Sequence, residues 1–548
     1  MSSDDLLQNA LEHHKSGDFH KAIEIYYKLL EKTADPKILN FLALALKDIG
    51  DYKSALEHIH KALALAPGFV EAIVNSGIIM NAMGDTEKAI KAYQKAISLE
   101  PALSTAYFNL ANVFNNKKDY DKAIVCYKKA LELDPLLHDT YRNLAQIYAT
   151  KKMPSQAIEF YLKAIGSSPS NAELHNNLGV VLFETDNIDE AIECYRKALT
   201  LDPDYAAAYY NLGNALRADG NIEEAIDCYK HSVKNDNSLS YAHWNLAILL
   251  LLTGRFDEGW QEYEWRWELK NYITKRDFAR PLWDGTDLNG KTILLHTEQG
   301  FGDAIQFIRY VPLIEQRGGR IIIECQKELI SLFSSIKGIA DFKAQGEGLP
   351  PFDLHCPFLT IPYIFKTTNE NIPSKTPYLT VNNSLVQKWT ESAGIDRSRF
   401  NIGIVWAGNP RNLNDRQRSL SLDLFSAFSG LKNIQLYSLQ KGPASEQINS
   451  SAIPIKDPTA EIKDFSDTAA LIMGLDLVIS VDTAVAHLAG ALSRPVWLLI
   501  PPIPDWRWQL NREDSPWYPT MRLFRGTKNG QWNDVIERIK NELLCRQE

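Results

Sequence analysis

Four short turns hold the residue types in this sequence that are suited to binding or transforming a ligand. Each turn follows an apolar run typical of a buried β-strand and precedes a helical pattern. In parallel α/β sheets ligands bind beyond the carboxyl ends of the strands, so a site is expected at such turns. The turns are Gly300–Asp303, Ala407–Leu420, Ser438–Gln447 and the start of the helix within Val478–Leu492.

The first turn lies in Lys291–Ile314, where the pattern predicts a strand, a tight turn and a helix. Nucleotide-binding units usually begin in this way. The dinucleotide fingerprint G-x-G-x-x-G is not present, because Ile305 stands where its third glycine would be. An acid, Asp303, opens the helix, and one explanation for it is a plain helix N-cap.

The other three turns suit one anionic ligand. A helix that starts at Thr483 would offer free backbone N–H groups and its positive dipole end to a phosphate. Arginines can neutralise a pyrophosphate with paired N–H bonds. Together these turns predict a nucleotide diphosphate or a related donor, and the alternative is N-capping by Asp482 with solvated loop arginines. The candidate donor contacts are Arg411, Arg416, Arg418, Gln440, Lys441, Gly442, Asp482, Thr483, Ala484 and His487, with Gln440 and Lys441 placed to contact a base or ribose.

Composition limits the class of protein. At 548 residues the chain is too long for one core, and its net charge of −9 is spread along the sequence. This balance argues against general binding to nucleic acid or anionic membranes. The longest apolar run, Leu246–Leu252, is too short to span a bilayer, and the N-terminus resembles no secretory signal. Six cysteines without a C-x-x-C pair indicate reduced thiols, so we expect a cytoplasmic protein.

The N-terminal half of the sequence, which precedes all four turns, is a repeat with a period of about 34 residues. Its small residues fit where helices touch, its tyrosines fill the gap to the next unit, and its prolines stop the second helix. The pattern resembles tetratricopeptide (TPR) repeats, with seven to eight units over residues 5–255. The recurring positions are Ala55, Ala89, Ala123, Ala157, Ala191 and Ala225; Tyr93, Tyr127, Tyr161, Tyr195 and Tyr229; and Pro67, Pro101, Pro135, Pro169 and Pro203.

An asparagine also recurs once per repeat, on the first helix of each unit. Its amide can donate and accept, so a column of such residues can hold the backbone of an extended peptide in the TPR groove. Alternatively, the asparagines bond within their own solenoid. The column resembles the asparagine ladder of the eukaryotic O-linked N-acetylglucosamine transferases, whose groove holds a protein substrate. Its members are Asn75, Asn109, Asn143, Asn177, Asn211 and Asn245.

After the repeats, a tryptophan-rich segment leads to short strands that alternate with helices. The predicted fold is α + α/β, a TPR α-solenoid followed by two Rossmann-like domains. The predicted domains are 1–255 (TPR), 256–290 (capping and docking segment), 291–390 and 391–548 (the two α/β domains). The predicted strands are Thr292–His296, Arg320–Glu324, Asp353–Cys356, Asn401–Trp406, Ile434–Leu439, Leu475–Val481 and Pro495–Ile500.

The second half resembles the heptosyltransferase-type glycosyltransferases of family nine, which have the two-domain GT-B fold. The resemblance covers residues 290–525, and with the repeats the chain is similar to bacterial TPR–glycosyltransferase fusions, some of which modify flagellin. The matching motifs are Gly302-Asp303, Arg418-Ser419-Leu420, Lys441-Gly442-Pro443 and Asp482-Thr483-Ala484-Val485-Ala486-His487. Two departures are Ala484, where the family has glycine, and the missing tryptophan after Arg418.

The resemblance implies roles for these residues. Asp303 would be the general base, Arg418 would contact donor phosphate, and the turn at Asp482 would hold phosphates and sugar. Glu298, just before the first turn, is a second candidate for the base. Trp506 is suited either to stacking on a base or sugar or to packing on the sheet, and the same applies to its neighbour Trp508.

The sequence therefore predicts an inverting, metal-independent glycosyltransferase in the cytoplasm, with a nucleotide-sugar as co-substrate and no bound cofactor. Its acceptor would be Ser or Thr of a protein in the TPR groove, with flagellin suggested by the resemblance. No nucleic acid or membrane span is expected. Two other readings are a lipid-linked glycan as acceptor, and a non-catalytic TPR adapter whose transferase half has decayed.

Overall fold

A computed structural model describes residues 3–269, 276–411, 415–527 and 530–546. It forms two compact units, Met1–Asp219 and Gly220–Glu548. Parts of two predicted features, namely 270–275 of the capping segment and 412–414 of the arginine-bearing turn, lie outside the described residues. In the described parts of the chain, none of the helices combines the length and the apolar composition needed to cross a bilayer.

The N-terminal half consists of helices that alternate as the repeat predicts. Thirteen of them belong to the first unit and three to the second. They are α1 (Ser3–Lys15), α2 (Phe19–Leu30), α3 (Pro36–Asp48), α4 (Tyr52–Leu65), α5 (Val70–Ala82), α6 (Thr86–Leu99), α7 (Ser104–Asn116), α8 (Tyr120–Leu133), α9 (His138–Thr150), α10 (Pro154–Ser167), α11 (Ala172–Glu184), α12 (Ile188–Leu201), α13 (Ala206–Asp219), α14 (Ile222–Asn235), α15 (Ser240–Leu252) and α16 (Phe256–Tyr263).

The repeated residues explain how these helices pack. The recurring alanines are fully buried, and the recurring tyrosines are buried beside them. A Cβ at Gly77 would lie 2.6 Å from the ring of Tyr93, and one at Gly179 would lie 2.7 Å from the ring of Tyr195. Glycine on the first helix of these repeats therefore makes room for the tyrosine of the second helix. Close packing of this kind makes even one added methyl group costly.

The second unit contains two parallel sheets. The four-stranded sheet has the order β3-β2-β1-β4, and the six-stranded sheet has the order β10-β9-β8-β5-β6-β7. Both orders reverse direction next to their first strand, as in doubly wound nucleotide-binding folds. The strands are β1 (Thr292–His296), β2 (Arg320–Cys325), β3 (Ile339–Ala344), β4 (Leu354–Pro357), β5 (Phe400–Val405), β6 (Ile434–Ser438), β7 (Ile455–Lys456), β8 (Leu477–Val481), β9 (Val496–Ile500) and β10 (Met521–Arg525).

Helices connect the strands and cover the sheets, so the predicted α + α/β fold is confirmed. The seven predicted strands are all present, with ends that shift by no more than two residues. Three further strands, β3, β7 and β10, were not predicted. The helices are α17 (Phe301–Phe307), α18 (Val311–Glu315), α19 (Lys327–Phe333), α20 (Ile361–Ile364), α21 (Asn383–Ser392), α22 (Asp415–Arg418), α23 (Phe465–Met473), α24 (Ala484–Ala491) and α25 (Asn533–Cys545).

The tryptophan-rich segment packs onto the α/β region of the same unit. The Trp260 indole N–H donates to the carbonyl of Thr367 at 2.8 Å, and its ring meets the ring of Trp506 edge-on at 5.2 Å. Next along the chain, the buried guanidinium of Arg266 forms a two-pronged ion pair with Glu298. The last repeat helices are thus joined to the α/β region by a buried hydrogen bond and a buried ion pair.

Candidate active site

The first turn of one sheet lies against the helix start of the other. At the carboxyl end of β1 the chain turns at Gly300 and begins α17, while at the end of β8 it turns at Asp482 and begins α24. A Cβ at Gly302 would lie 2.9 Å from Cδ2 of His487 and 3.7 Å from Cα of Ala484. The two motifs, which are far apart in the sequence, therefore touch each other.

Glycine at position 302 is required by this contact, which gives a testable prediction. We expect Gly302→Ala to destabilise the fold by about 1–3 kcal/mol, because the added methyl group must displace the buried imidazole of His487. Thermal and urea unfolding measure the change. Gly300→Ala is the matched control, because its Cβ would meet nothing closer than a carboxylate oxygen of Asp303 at 3.5 Å. Equal stability of the two variants would contradict the packing described here.

Asp303 occupies the third position of α17, so the helix is capped by Gly300 and not by Asp303 itself. Its Oδ2 accepts a hydrogen bond from the Gly300 N–H at 3.0 Å, and its Oδ1 pairs with the guanidinium of Arg507. The side chain is about 20% exposed. Burial raises the pKa of Asp303, and the positive charge of Arg507 opposes that shift. The carboxylate is thus fixed in orientation while one edge stays open to solvent.

Arg507 is a site residue that the sequence did not single out. Its guanidinium also donates to Asp505 at 2.8 Å and to the Gln306 amide oxygen at 2.5 Å, and its side chain is only 8% exposed. The sequence shows a segment dense in tryptophan and arginine here, but nothing in it identifies Asp303 as the partner. That pairing joins residues 204 positions apart.

The helix α24 begins after Thr483, which is half-buried. The N-cap residue is Thr483 and not Asp482, and among the described residues no side chain makes a capping hydrogen bond to this helix. Burial and the negative charge of Asp505 raise the pKa of Asp482 to about 6. Burial and the nearby Arg507 hold the pKa of His487 well below its usual value, so His487 is neutral at pH 7.

Arg418 links the second turn to the fourth. One guanidinium nitrogen donates to the carbonyl of Asp482 at 2.9 Å, and another donates to Asp415 at 3.2 Å. The Arg418 side chain is about 20% exposed. Arg416, on the same short helix, is exposed, as is Arg411. Of the three arginines, the structure thus brings Arg418 to the start of α24.

The third turn has a different role from the predicted one. Gln440 is buried, and its amide oxygen accepts hydrogen bonds from the N–H groups of Trp406 and Ala407 at 3.1 and 2.9 Å. Gln440 thus holds the turn after β5, and its amide nitrogen donates to the carbonyl of Lys441 at 2.9 Å, so both ends of the amide are engaged by the backbone. Lys441 donates to the carbonyl of Ile462 at 2.7 Å, and Gly442 follows with a positive φ of 83°.

Glu298 lies in a buried ion pair and not in the open part of the site. Both of its oxygens accept from Arg266, at 2.9 and 3.1 Å, and one also accepts from the N–H of Leu359 at 3.1 Å. Burial raises the pKa of Glu298. Trp506 and Trp508 are also buried, which favours packing over stacking on a ligand.

The asparagine column makes hydrogen bonds within the first unit. Asn75 donates to Asn40 at 2.8 Å, and Asn211 donates to Asn176 at 2.9 Å. Asn143 donates to Asn112 at 3.3 Å and to the hydroxyl of Tyr127 at 3.1 Å, and Asn177 accepts from Asn176 at 3.2 Å. Asn109 and Asn245 are half-buried like the others. The amides are therefore engaged in part by the solenoid, and each is still partly exposed.

Within the described residues, no group of three or more His, Cys, Asp or Glu side chains is arranged to hold a metal ion. The charged groups around the site instead form pairs between arginines and carboxylates. Asp303, Asp482 and Asp505 supply the carboxylates, and Arg418 and Arg507 supply the cations. Each of these two arginines lies within hydrogen-bond distance of at least one carboxylate.

The matches to known families fall in two parts of the chain, and the repeat matches continue past the boundary between the two compact units. Glycosyltransferase family 9 (heptosyltransferase) matches residues 463–509, which include the helix start at Thr483 and also Arg507. The tetratricopeptide repeat families match residues 36–69, 77–118, 104–135, 138–171, 170–238 and 240–259.

Individual relatives cover only part of the chain. Protein FlbA of Caulobacter vibrioides is 27% identical over 319 residues, 52% of each chain. Photosystem I assembly protein Ycf3 of Acaryochloris marina is 33% identical over 69 residues, 12% of this chain and 42% of Ycf3. This chain thus spans about half the length, or less, of the curated relatives it matches.

Two solved structures resemble the repeat region. YrrB, a TPR protein with an unusual peptide-binding site, is 23% identical over 34% of this chain and 96% of YrrB, with a TM-score of 0.32. MamA is 27% identical over 30% of this chain and 96% of MamA, with a TM-score of 0.27. The chain thus resembles tetratricopeptide repeat proteins in its N-terminal half and matches the family 9 glycosyltransferase model over residues 463–509.

Proposed function

We propose that this protein is an inverting transferase that moves a sugar from a nucleotide-sugar to Ser or Thr of a protein recruited by its repeats. The observation that carries the proposal is the contact of Gly302 with His487, which brings Asp303 and the start of α24 into one site. Asp303 supplies the base, and the start of α24 supplies a helix end that can bind an anion. Flagellin is the acceptor suggested by the resemblance to TPR–glycosyltransferase fusions.

In this mechanism Asp303 takes the proton of the acceptor hydroxyl. The oxygen then attacks the anomeric carbon of the donor from the side opposite the nucleotide, and the nucleotide leaves with its bonding electron pair. Asp303 is a better base than Glu298, because it is partly exposed, whereas both Glu298 oxygens are buried against Arg266. General-base assistance of this kind contributes about 10²- to 10⁴-fold to the rate.

The leaving phosphates need positive charge at the moment the bond breaks. The guanidinium of Arg418 lies beside Asp482, and the first N–H groups of α24 follow directly. Together they form a preorganised site for developing negative charge, so the mechanism needs no bound cofactor and no metal ion.

Binding of nucleotides tests this proposal. We expect one of UDP, GDP, ADP and CMP to raise the melting temperature, because a ligand at 100 times its Kd stabilises the fold by about 2.7 kcal/mol. Arg418→Ala should abolish the shift. The control Arg399→Ala should keep the shift, because Arg399 lies just before β5, at the amino ends of the strands and so on the side of the sheet away from the proposed site. If no nucleotide shifts the wild type, the proposed donor site is wrong and the adapter reading gains support.

The pH dependence of transfer tests the role of Arg507. Its positive charge lowers the pKa of Asp303, so Arg507→Gln should raise that pKa. A base must be deprotonated to act, so the fall in kcat/KM on the acid side should move to higher pH. The control is Arg512→Gln, which removes an arginine that pairs with Asp514. An unchanged pH profile in Arg507→Gln would show that the charge of Arg507 does not set the pKa of the base.

A further inference from the structure

A groove on the first unit lies between the second helices of two neighbouring repeats, α4 and α6, with α5 as its floor. Its volume is about 290 Å³. Leu63, Ile73 and Met80 give the groove a mostly apolar lining, to which Ser76 and His60 add polar groups. None of the asparagines of the recurring column lines this groove, so it is a different surface from the one on which those amides lie.

The rim of this groove is basic. Lys88, Lys91 and Lys95 on α6 are exposed and line it, at the spacing that places them on one face of a helix. Lys88 pairs with Asp85 at 2.5 Å. The ammonium groups of Lys91 and Lys95 make no ion pair with any residue that the structure describes. Two cations that are available to a ligand thus border an apolar cleft in a chain whose net charge is −9.

The other repeats do not share this arrangement. On the second helices α4, α8, α10, α12 and α14, the position that corresponds to Lys91 is acidic in four of five cases. The residues at this position are Glu57, Val125, Glu159, Glu193 and Asp227. A carboxylate is thus the usual residue at this position, one helical turn before the lysine that corresponds to Lys95. In α6 the carboxylate is replaced by Lys91, which adds a third positive charge to those of Lys88 and Lys95.

We propose that this groove docks an acidic amphipathic segment of a partner protein. Carboxylates of the segment would meet Lys91 and Lys95, and its apolar side chains would cover the floor around Met80. Charge complementarity favours this occupant, because a basic or neutral segment would leave the lysines unpaired. Helical segments bind apolar grooves in this way, through side chains that recur on one face. The inference is independent of the proposed transferase chemistry.

Selection from a library of random twelve-residue peptides, displayed on phage, tests this proposal on the intact chain. Peptides are first selected for binding to the wild type, and those that also bind the variant Lys91→Glu/Lys95→Glu are then removed by counter-selection. We expect the remaining peptides to be enriched in Leu, Ile or Phe at a spacing of three or four residues, with Asp and Glu between them. Lack of that enrichment overturns the proposal.

The best peptide is then synthesised and titrated. We expect its affinity to fall at least tenfold in Lys91→Glu/Lys95→Glu and in Met80→Lys, and several-fold between 50 and 300 mM NaCl. The control Lys163→Glu/Lys197→Glu reverses two lysines of the same repeat position on other helices and should change the affinity less than twofold. Equal affinity for all variants overturns the proposal. So does a groove that binds oligonucleotides or anionic vesicles but not the peptide.

Discussion

Asp303→Asn should reduce sugar transfer by about 10²- to 10⁴-fold, because the amide cannot accept the proton of the acceptor hydroxyl. The change conserves shape, so the N–H of Gly300 can still bond to position 303. Binding of the donor should be unchanged, since the anion-binding groups lie at Arg418 and α24. The measurement is a single-turnover rate of transfer, with nucleotide affinity determined on the same protein.

The comparison with Glu298 makes this prediction sharper. Glu298→Gln should lower stability through its pair with Arg266, and the transfer rate of the folded fraction should remain within about tenfold of wild type. If Asp303→Asn binds donor normally and transfers at the wild-type rate, Asp303 has no part in the chemistry. A loss of rate in Glu298→Gln alone would make Glu298 the base.

Arg266→Leu should destabilise the second unit by about 3–5 kcal/mol, because it leaves the buried carboxylate of Glu298 without its partner. The Arg266 side chain has no exposed surface, and that of Glu298 is 2% exposed. The exposed pair of Arg317 and Asp287 is the matched control, and Arg317→Leu should cost less than about 1 kcal/mol. Urea unfolding monitored by tryptophan fluorescence provides the comparison.

The pH dependence of the stability of Arg266→Leu shows whether the loss comes from the unpaired charge of Glu298. Without Arg266, the folded-state pKa of Glu298 rises further above its unfolded value, because burial already raises it. The folded protein then binds more protons than the unfolded chain, so stability falls as pH rises through this interval. The loss in Arg266→Leu should be larger at pH 8 than at pH 5, and Glu298→Gln added to it should restore part of the stability. A loss independent of pH would indicate packing and not charge.

The sequence predicts the central strands of both sheets and the edge strand β4, but not the other three edge strands. The strands β3, β7 and β10 are the three that were missed, and each lies at an edge of its sheet. Edge strands have one unpaired side and carry mixed polar and apolar residues, so their pattern is weaker than that of a buried strand. In β3, for example, Ala344 is the one buried residue.

The site could be predicted in part for a similar reason. The turns at Asp303 and Asp482 follow strongly apolar strands, so their place at the carboxyl edges could be read from the sequence. The contact of Gly302 with His487 and the pair of Asp303 with Arg507 depend on how two sheets pack, which no local pattern encodes. The sequence predicts that Gln440 contacts a ligand, because its amide can both donate and accept hydrogen bonds. In the structure this amide instead bonds to the backbone of Trp406 and Ala407.

Hydrogen exchange with and without the stabilising nucleotide is the most direct measurement of the central claim. The claim is that one site, at the start of α24 and beside Arg418, holds the donor next to Asp303. The account predicts that bound nucleotide slows exchange in peptides that cover Arg418 and Thr483–His487, with little change in α1–α13. Protection confined to the repeats, with none at Thr483–His487, would contradict it.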